Sequence, residues 1–439
     1  MGLVGLFAAD VQPWVVAFGA SLYWGLFTGL TYFAPMTLLG KIHVDLGVTV
    51  EMAALPSNLY KICLMCLLPV VGPILACLPI RPCMIVSVVV ASVCGFLYPL
   101  AQTVNELIAI NAIWALCTTF FGLPTLFSIV ALWSKHGIGL AGALVIVGWS
   151  ISGIVVPPFV AIFEQSGGWR AAMFSLAVIF AASAIPTTLF ILQPPPDMAR
   201  ETDTKHGVKW IYFRMRQFWA LAVVYVSMSW VIGTFFDHLS VFLTAERGMS
   251  LTRSALIMSV LNSSALFTKL IAGYAGDRFG ASKVLCTGCV MALCAISCML
   301  RQTTEVAFFI AFALMFGCGY ACVLASMCTI IPGIFGIGDT VFIQSMMLSF
   351  YHFGSAAGST AAGISVTRFS SYSPSFLVAI VMMGLCLPAS LLLLRLEHEK
   401  QSHLVAISKG TFVTEESRLL TRAETDELSS SGESVVSDS

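Results

Sequence analysis

Long apolar stretches, broken by short polar ones, follow one another along almost the whole chain. A helix needs roughly 20 mainly apolar residues to cross a bilayer. Runs of about that length fall at 12–39, 53–79, 82–102, 106–133, 138–163 and 170–192. Gln193-Pro-Pro-Pro-Asp197 then opens a polar segment that reaches Arg216. Six more runs follow at 217–243, 254–276, 283–300, 305–331, 341–366 and 374–395, and the tail from Glu397 is polar and rich in Ser and Glu. This pattern predicts an all-α integral membrane protein with 12 transmembrane helices in two six-helix halves. The expected units are a first bundle over 1–192, a cytoplasmic linker over 193–216, a second bundle over 217–396 and a disordered cytoplasmic tail over 397–439.

Composition agrees with lipid as the solvent. The chain is 58% hydrophobic and 10% charged, with mean hydropathy +0.92, whereas soluble chains are about 25% charged. The net charge of zero gives no reason to expect a nucleic-acid partner. The 14 cysteines are scattered through apolar runs. Cys63-x-x-Cys66 and Cys286-x-x-Cys289 have no His nearby and read as small core residues, so neither a metal, a cofactor nor a disulfide framework is expected. No nucleophile–base set suggests an enzyme. The first run has no Lys or Arg before Lys41 and is too long for a signal-peptide core, so it reads as a retained helix. Loops on the side of the linker and tail carry more than twice as many Lys and Arg as the opposite loops, which predicts cytoplasmic termini.

The most specific motif is Gly273-Tyr-Ala-Gly-Asp277-Arg278-Phe-Gly280-Ala-Ser-Lys283, after the eighth run. Its glycines permit close helix approach and a tight turn. Asp277 is suited to meet a helix terminus or a cation and latch that side shut. The stretch resembles the short-loop signature of the major facilitator superfamily, G-x-x-x-D-R-x-G-x-x-[RK]. The corresponding loop after helix two keeps only Gly72 and Arg81. Within that superfamily the chain resembles the monocarboxylate transporters and the related oxalate/formate antiporters. The resemblance rests on Asp10-x-x-Pro13-Trp14-Val15-Val16, Gly72-Pro73-Ile74, Trp133-Ser-Lys135-His136-Gly137-x-Gly139-x-Ala141-Gly142 with Gly148-x-x-x-Ser152-Gly153, and Gly168-Trp169-Arg170. It implies a major-facilitator fold and alternating access around a midplane site.

Ionisable groups at bilayer depth are costly unless they face a cavity or a partner. Five stand out: Lys61, Asp237, His238, Lys269 and His352. In the resembling families a cation four residues before the motif glycine pairs with the substrate carboxylate. Here that position is Lys269, a point charge without the bidentate fork of Arg. Snorkelling to an interface is the alternative. Proton-coupled members often carry Asp one turn earlier, where this chain has Ala265. Lys61, with Asn58 three residues before it, is a second substrate-binding candidate or another snorkelling lysine. The residue falling at the family's helix-one lysine is Met36, and Lys41 reads as a loop charge. Asp237 and His238 are candidates to carry a coupling proton, or an interfacial pair. His352 is either a third substrate contact or a neutral histidine bonded within the bundle. Tyr23, Trp24, Tyr32, Phe33 and Trp149 line a cavity or simply pack. Pro157-Pro158 frees backbone groups in helix five. Asn262-Ser263-Ser264 fits the glycosylation pattern but lies inside helix eight and is discounted.

In the tail, Glu415, Leu419 and Leu420 fit an acidic dileucine sorting signal, which implies a sorting adaptor as partner. The expected function is a secondary transporter for a small, monocarboxylate-like organic anion, with or without proton coupling, in the plasma membrane or an endolysosomal one. A carrier of neutral amino acids or another small nutrient is the alternative. A non-transporting sensor or scaffold on the same fold is the alternative of another class.

Overall fold

The structure is a computed structural model that describes residues 11–48, 50–75, 78–134, 137–193, 210–301, 303–336 and 340–408. Twelve helices are present among them. They are α1 (Gln12–Asp45), α2 (Val50–Leu75), α3 (Ile80–Leu97), α4 (Val104–Trp133), α5 and α6 (the two arms of Ile138–Phe190), α7 (Arg216–Glu246), α8 (Leu251–Phe279), α9 (Ala281–Cys298), α10 (Val306–Phe335), α11 (Thr340–Phe369) and α12 (Ser373–Ser408). Ten described stretches are long and apolar enough to cross a membrane. One of them is the pair α5–α6, which bends at Gly168, where φ is 75° and a side chain would be strained. The remaining helix, α11, is long enough but rich in Ser, Gly and Thr.

Two departures from the sequence reading concern boundaries. The last helix runs to Ser408, past the limit expected at residue 396 and into the stretch expected to be a disordered tail. The run after residue 104 is broken at Gly122, whose extended backbone lets Leu123-Pro124 start a new helical segment. Pro157 and Pro158, by contrast, sit inside continuous helix. The sorting residues Glu415, Leu419 and Leu420, and most of the linker, lie outside the described residues.

The two halves repeat one packing scheme. In the first, α1 packs on α5, α2 on α4 and α3 on α6; in the second, α7 packs on α11, α8 on α10 and α9 on α12. The large apolar side chains separate accordingly, with Trp114, Phe121 and Phe180 in one core and Phe218, Phe235 and Phe312 in the other. Contacts between halves run mainly through α5 with α8 and α2 with α11.

The repeat extends to polar clamps on the side away from the linker. Asp45, ending α1, accepts from Trp169 Nε1 at 3.1 Å and from Arg170, which open α6. Arg170 also donates to the Ala101 carbonyl at 2.9 Å. In the second half, Glu246, ending α7, accepts from the Tyr372 amide at 2.9 Å and the Ser371 hydroxyl at 3.1 Å, just where α12 begins. Asp45 holds its helix start through side-chain donors, whereas Glu246 takes up a backbone amide that has no partner within its own helix. Glu246→Ala should therefore cost about 1–2 kcal/mol of stability, read as a lowered melting temperature in detergent; an unchanged melt would show that the clamp carries no load.

Candidate functional site

A cavity of about 140 Å³ lies at the centre, lined by both halves. Four of the residues picked from sequence face it: Lys61, Asp237, Lys269 and His352. Their elements are α2, α7, α8 and α11, so the cavity spans the contact between bundles.

Lys269 sits about 15 Å along α8 from the end at Phe279, at 1.5 Å per residue. It is 0% exposed. Its Nζ crosses to the other half, donating to Ser150 Oγ at 2.8 Å and to the Ile146 carbonyl at 3.3 Å, both on α5. It also stands over the Tyr320 ring at 5.3 Å. The three ion pairs among the described residues are Lys41–Glu164, Lys61–Asp237 and Arg170–Asp45; none includes Lys269. The ammonium thus has a hydroxyl, a carbonyl and a π face, but no acid.

Lys61 differs. Its Nζ donates to Asp237 Oδ2 at 2.9 Å, while Tyr32 donates its hydroxyl to Asp237 Oδ1 at 3.2 Å. The lysine also lies 5.7 Å from the centre of the Tyr32 ring. This cluster ties α1 and α2 of the first half to α7 of the second. Tyr32 belongs to a π-helical turn, Gly29–Phe33, one of the irregularities often found at functional sites.

Two candidates lie elsewhere. Asn58 is exposed on the outer face of α2 and does not line the cavity, so it is not a substrate contact in this arrangement. Three residues leave a net offset of 60° from the face of Lys61, and on this helix that offset separates a cavity-lining position from an exposed one. His238 does not join Asp237 either: its Nδ1 lies 3.3 Å from Tyr372 Oη and its Nε2 3.0 Å from the Ser359 carbonyl, both within the second bundle. Successive residues are 100° apart on a helix, so neighbours in sequence face different elements. His352 borders the cavity with its ring edge-on to Tyr351, centroids 5.5 Å apart.

Among the aromatics, Trp24, Tyr32 and Trp149 line the cavity. Tyr23 is instead core, stacked on Phe121 at 4.1 Å and bonded to its carbonyl. Phe33 packs against Trp149. Sequence reasoning missed Ser150 and Tyr320, although Ser150 lies inside the segment Gly148–Gly153 that carried part of the family resemblance.

On the linker side, Asp277 of α8 reaches the start of α5. Its oxygens accept from the amides of Gly139 at 2.7 Å and Leu140 at 2.9 Å, a helix-capping arrangement supplied from the opposite half because Gly137 has no side chain to offer. The approach is close: a Cβ at Gly273 would stand 2.6 Å from that of Ala143 and 2.7 Å from the Gly139 carbonyl. Of the remaining motif cations, Arg278 bonds Tyr274 Oη at 3.3 Å and Lys283 is exposed. Gly280, at φ 98°, makes the turn into α9. Lys135 and His136 lie outside the described residues. Among the described residues the cysteines are unbridged, and no cluster of His, Cys, Asp or Glu forms a metal site.

The ion pair joining the halves is open to a double-mutant cycle. Lys61→Ala and Asp237→Ala each strand a partner, so the double variant should be more stable than the sum of the two losses implies, by about 0.5–3 kcal/mol. Additive losses in thermal or denaturant unfolding would mean that the pair contributes no coupling.

Comparison with known proteins places this geometry. A sequence profile described as Major Facilitator Superfamily matches residues 16–268 and 242–425. The curated protein "MFS transporter asaE" from Aspergillus flavus is 23% identical over 239 residues, 54% of this chain; the chain spans about half, 53%, of that relative's length. Among solved structures, the human organic anion transporter MFSD10 (TETRAN) aligns with a TM-score of 0.68 at 15% identity, covering 88% of this chain and 100% of that one. A bacterial homologue of the iron transporter ferroportin, in its outward-facing state with soaked iron, aligns with a TM-score of 0.72 at 12% identity, covering 87% and 98%. The structural likenesses establish the fold, the profile spans most of the chain, and this multi-pass integral membrane protein belongs to the Major Facilitator Superfamily.

Proposed function

We propose that this chain is a secondary transporter that moves a small organic anion, monocarboxylate-like, by alternating access. The observation that carries the reading is Lys269: a fully buried ammonium in a cavity between two bundles, bonded to neutral oxygens only. Burying such a charge is costly, and a carboxylate guest offsets the cost by neutralising it. The bundles 1–192 and 217–396 rock about this point, joined by the segment 193–216. One structural neighbour is an organic anion transporter, which supports the same substrate class. A carrier of neutral amino acids would need an acid for the substrate's amine, and Asp237 is already taken by Lys61 and Tyr32. The excess of Lys and Arg in the loops on the linker side supports cytoplasmic termini; we assign the protein to the plasma membrane.

Lys269→Ala should lower carboxylate uptake by at least about tenfold, the least expected from losing a charge-assisted bond of about 1.5–3 kcal/mol, while the protein still reaches the membrane. Uptake at the wild-type rate would remove this site.

Asp237 is the proton-coupling candidate that faces the cavity. With coupling through Asp237, an inward proton gradient should raise the initial rate of uptake, and Asp237→Asn should abolish that response. No response in the wild type would mean uniport or exchange.

A further inference from the structure

The same cavity specifies its guest more narrowly, an inference that rests on the carboxylate reading above. We propose that the substrate is an aromatic monocarboxylate: one carboxylate on a body the size of a single ring, with no amine and no second acid.

Charge fixes the first part. With the His352 imidazole neutral, the charged side chains lining the cavity are Lys61, Asp237 and Lys269. Lys61 and Asp237 neutralise each other at 2.9 Å, which leaves a single positive charge. A dicarboxylate would bring a second negative charge with no cation to meet it. A zwitterion would bring an amine with no free acid, since both oxygens of Asp237 are engaged.

Shape and surroundings fix the second part. The lining is mainly apolar, and aromatic rings enter from both halves: Tyr32 and Trp149 from the first, Phe236, Tyr320 and Tyr351 from the second. Tyr32 and Trp149 lie 5.0 Å apart, and Phe236 and Tyr320 5.4 Å apart. Flat rings of this kind favour offset or edge contacts with another ring. The volume, about 140 Å³, is close to the roughly 150 Å³ of an engineered apolar cavity that binds benzene. A two- or three-carbon acid would leave much of that apolar wall facing water. Lys269 marks where the carboxylate goes, beside the Tyr320 ring at 5.3 Å.

Phenylpyruvate and pyruvate share a headgroup and differ by one ring, so they separate the two parts of the idea. With full-length protein in detergent, phenylpyruvate should bind at least about tenfold more tightly than pyruvate, the scale of an apolar group filling or missing its pocket. Trp149→Ala should reduce that ratio several-fold, with Trp149→Phe as the ring-keeping control and the ligand-free melt of each variant as the check on folding. Phenylalanine and oxalate should bind at least about tenfold more weakly than phenylpyruvate. Equal affinity for pyruvate and phenylpyruvate would overturn the aromatic assignment, and tight phenylalanine or oxalate binding would overturn the monoanion. In either case Lys269→Ala keeps the two levels apart. If it abolishes binding of every carboxylate, only the present inference has failed; if it changes none of them, the carboxylate site itself is wrong.

Discussion

A lysine ammonium with no acid beside it, closed between two helical bundles, is the constraint on which this arrangement turns. A charge at that depth is tolerated where it meets dipoles, water or an opposite charge. Lys269 has the first in Ser150, the Ile146 carbonyl and the Tyr320 ring. Those partners lower the cost without cancelling the charge. They also come from both sides: α5 of one half supplies the oxygens, while α8 and α10 of the other supply the lysine and the ring. Any rocking of the halves must change the surroundings of this one group, which makes its occupancy and the position of the bundles mutually dependent.

Repetition of the bundle makes such motion possible without unpacking either half. Each half closes its own far-side rim with an acid, Asp45 in one and Glu246 in the other, gripping a helix start within the same half. The large aromatic cores are likewise internal to each bundle. The halves meet through close contact of α5 with α8 at Gly139 and Gly273, contact of α2 with α11, and polar ties at Lys269, at Lys61–Asp237 and at Asp277. Rigid units with a partly polar seam are the condition for one to rotate against the other.

The fold was legible because bilayer length is a property of contiguous sequence. The eighth-helix motif was legible because its glycines and Asp277 lie within a few residues of one another, although they act on α5 across the seam, and Lys269 because an isolated cation in an apolar run is conspicuous. The tie between Lys61 and Asp237 was not, since 176 residues separate them and nothing local says which distant group each will meet. Asn58 and His238 failed for the opposite reason. Proximity in sequence suggested a shared face, but a net 60° of helix rotation left Asn58 exposed and 100° turned His238 into the second bundle, where Tyr372 and Ser359 hold it. Ser150 was overlooked because a serine in an apolar helix ordinarily bonds its own backbone, and only the neighbouring helix shows why it does otherwise here.

Two of the polar ties between halves differ in kind, and the difference bears on which yields more readily. On the linker side Asp277, an exposed residue, holds two amides at the start of α5. Water competes directly for that carboxylate, although Gly139 itself is buried, so releasing the cap costs on the order of the 0.5–2 kcal/mol of an ordinary helix cap. Beside the cavity, Lys61 and Asp237 are only 13% and 12% exposed, and parting them leaves two charges short of partners in a poorly hydrated space. Of these two ties the one capped by Asp277 is therefore the easier to release, and the buried pair beside the cavity is the one that resists parting of the halves.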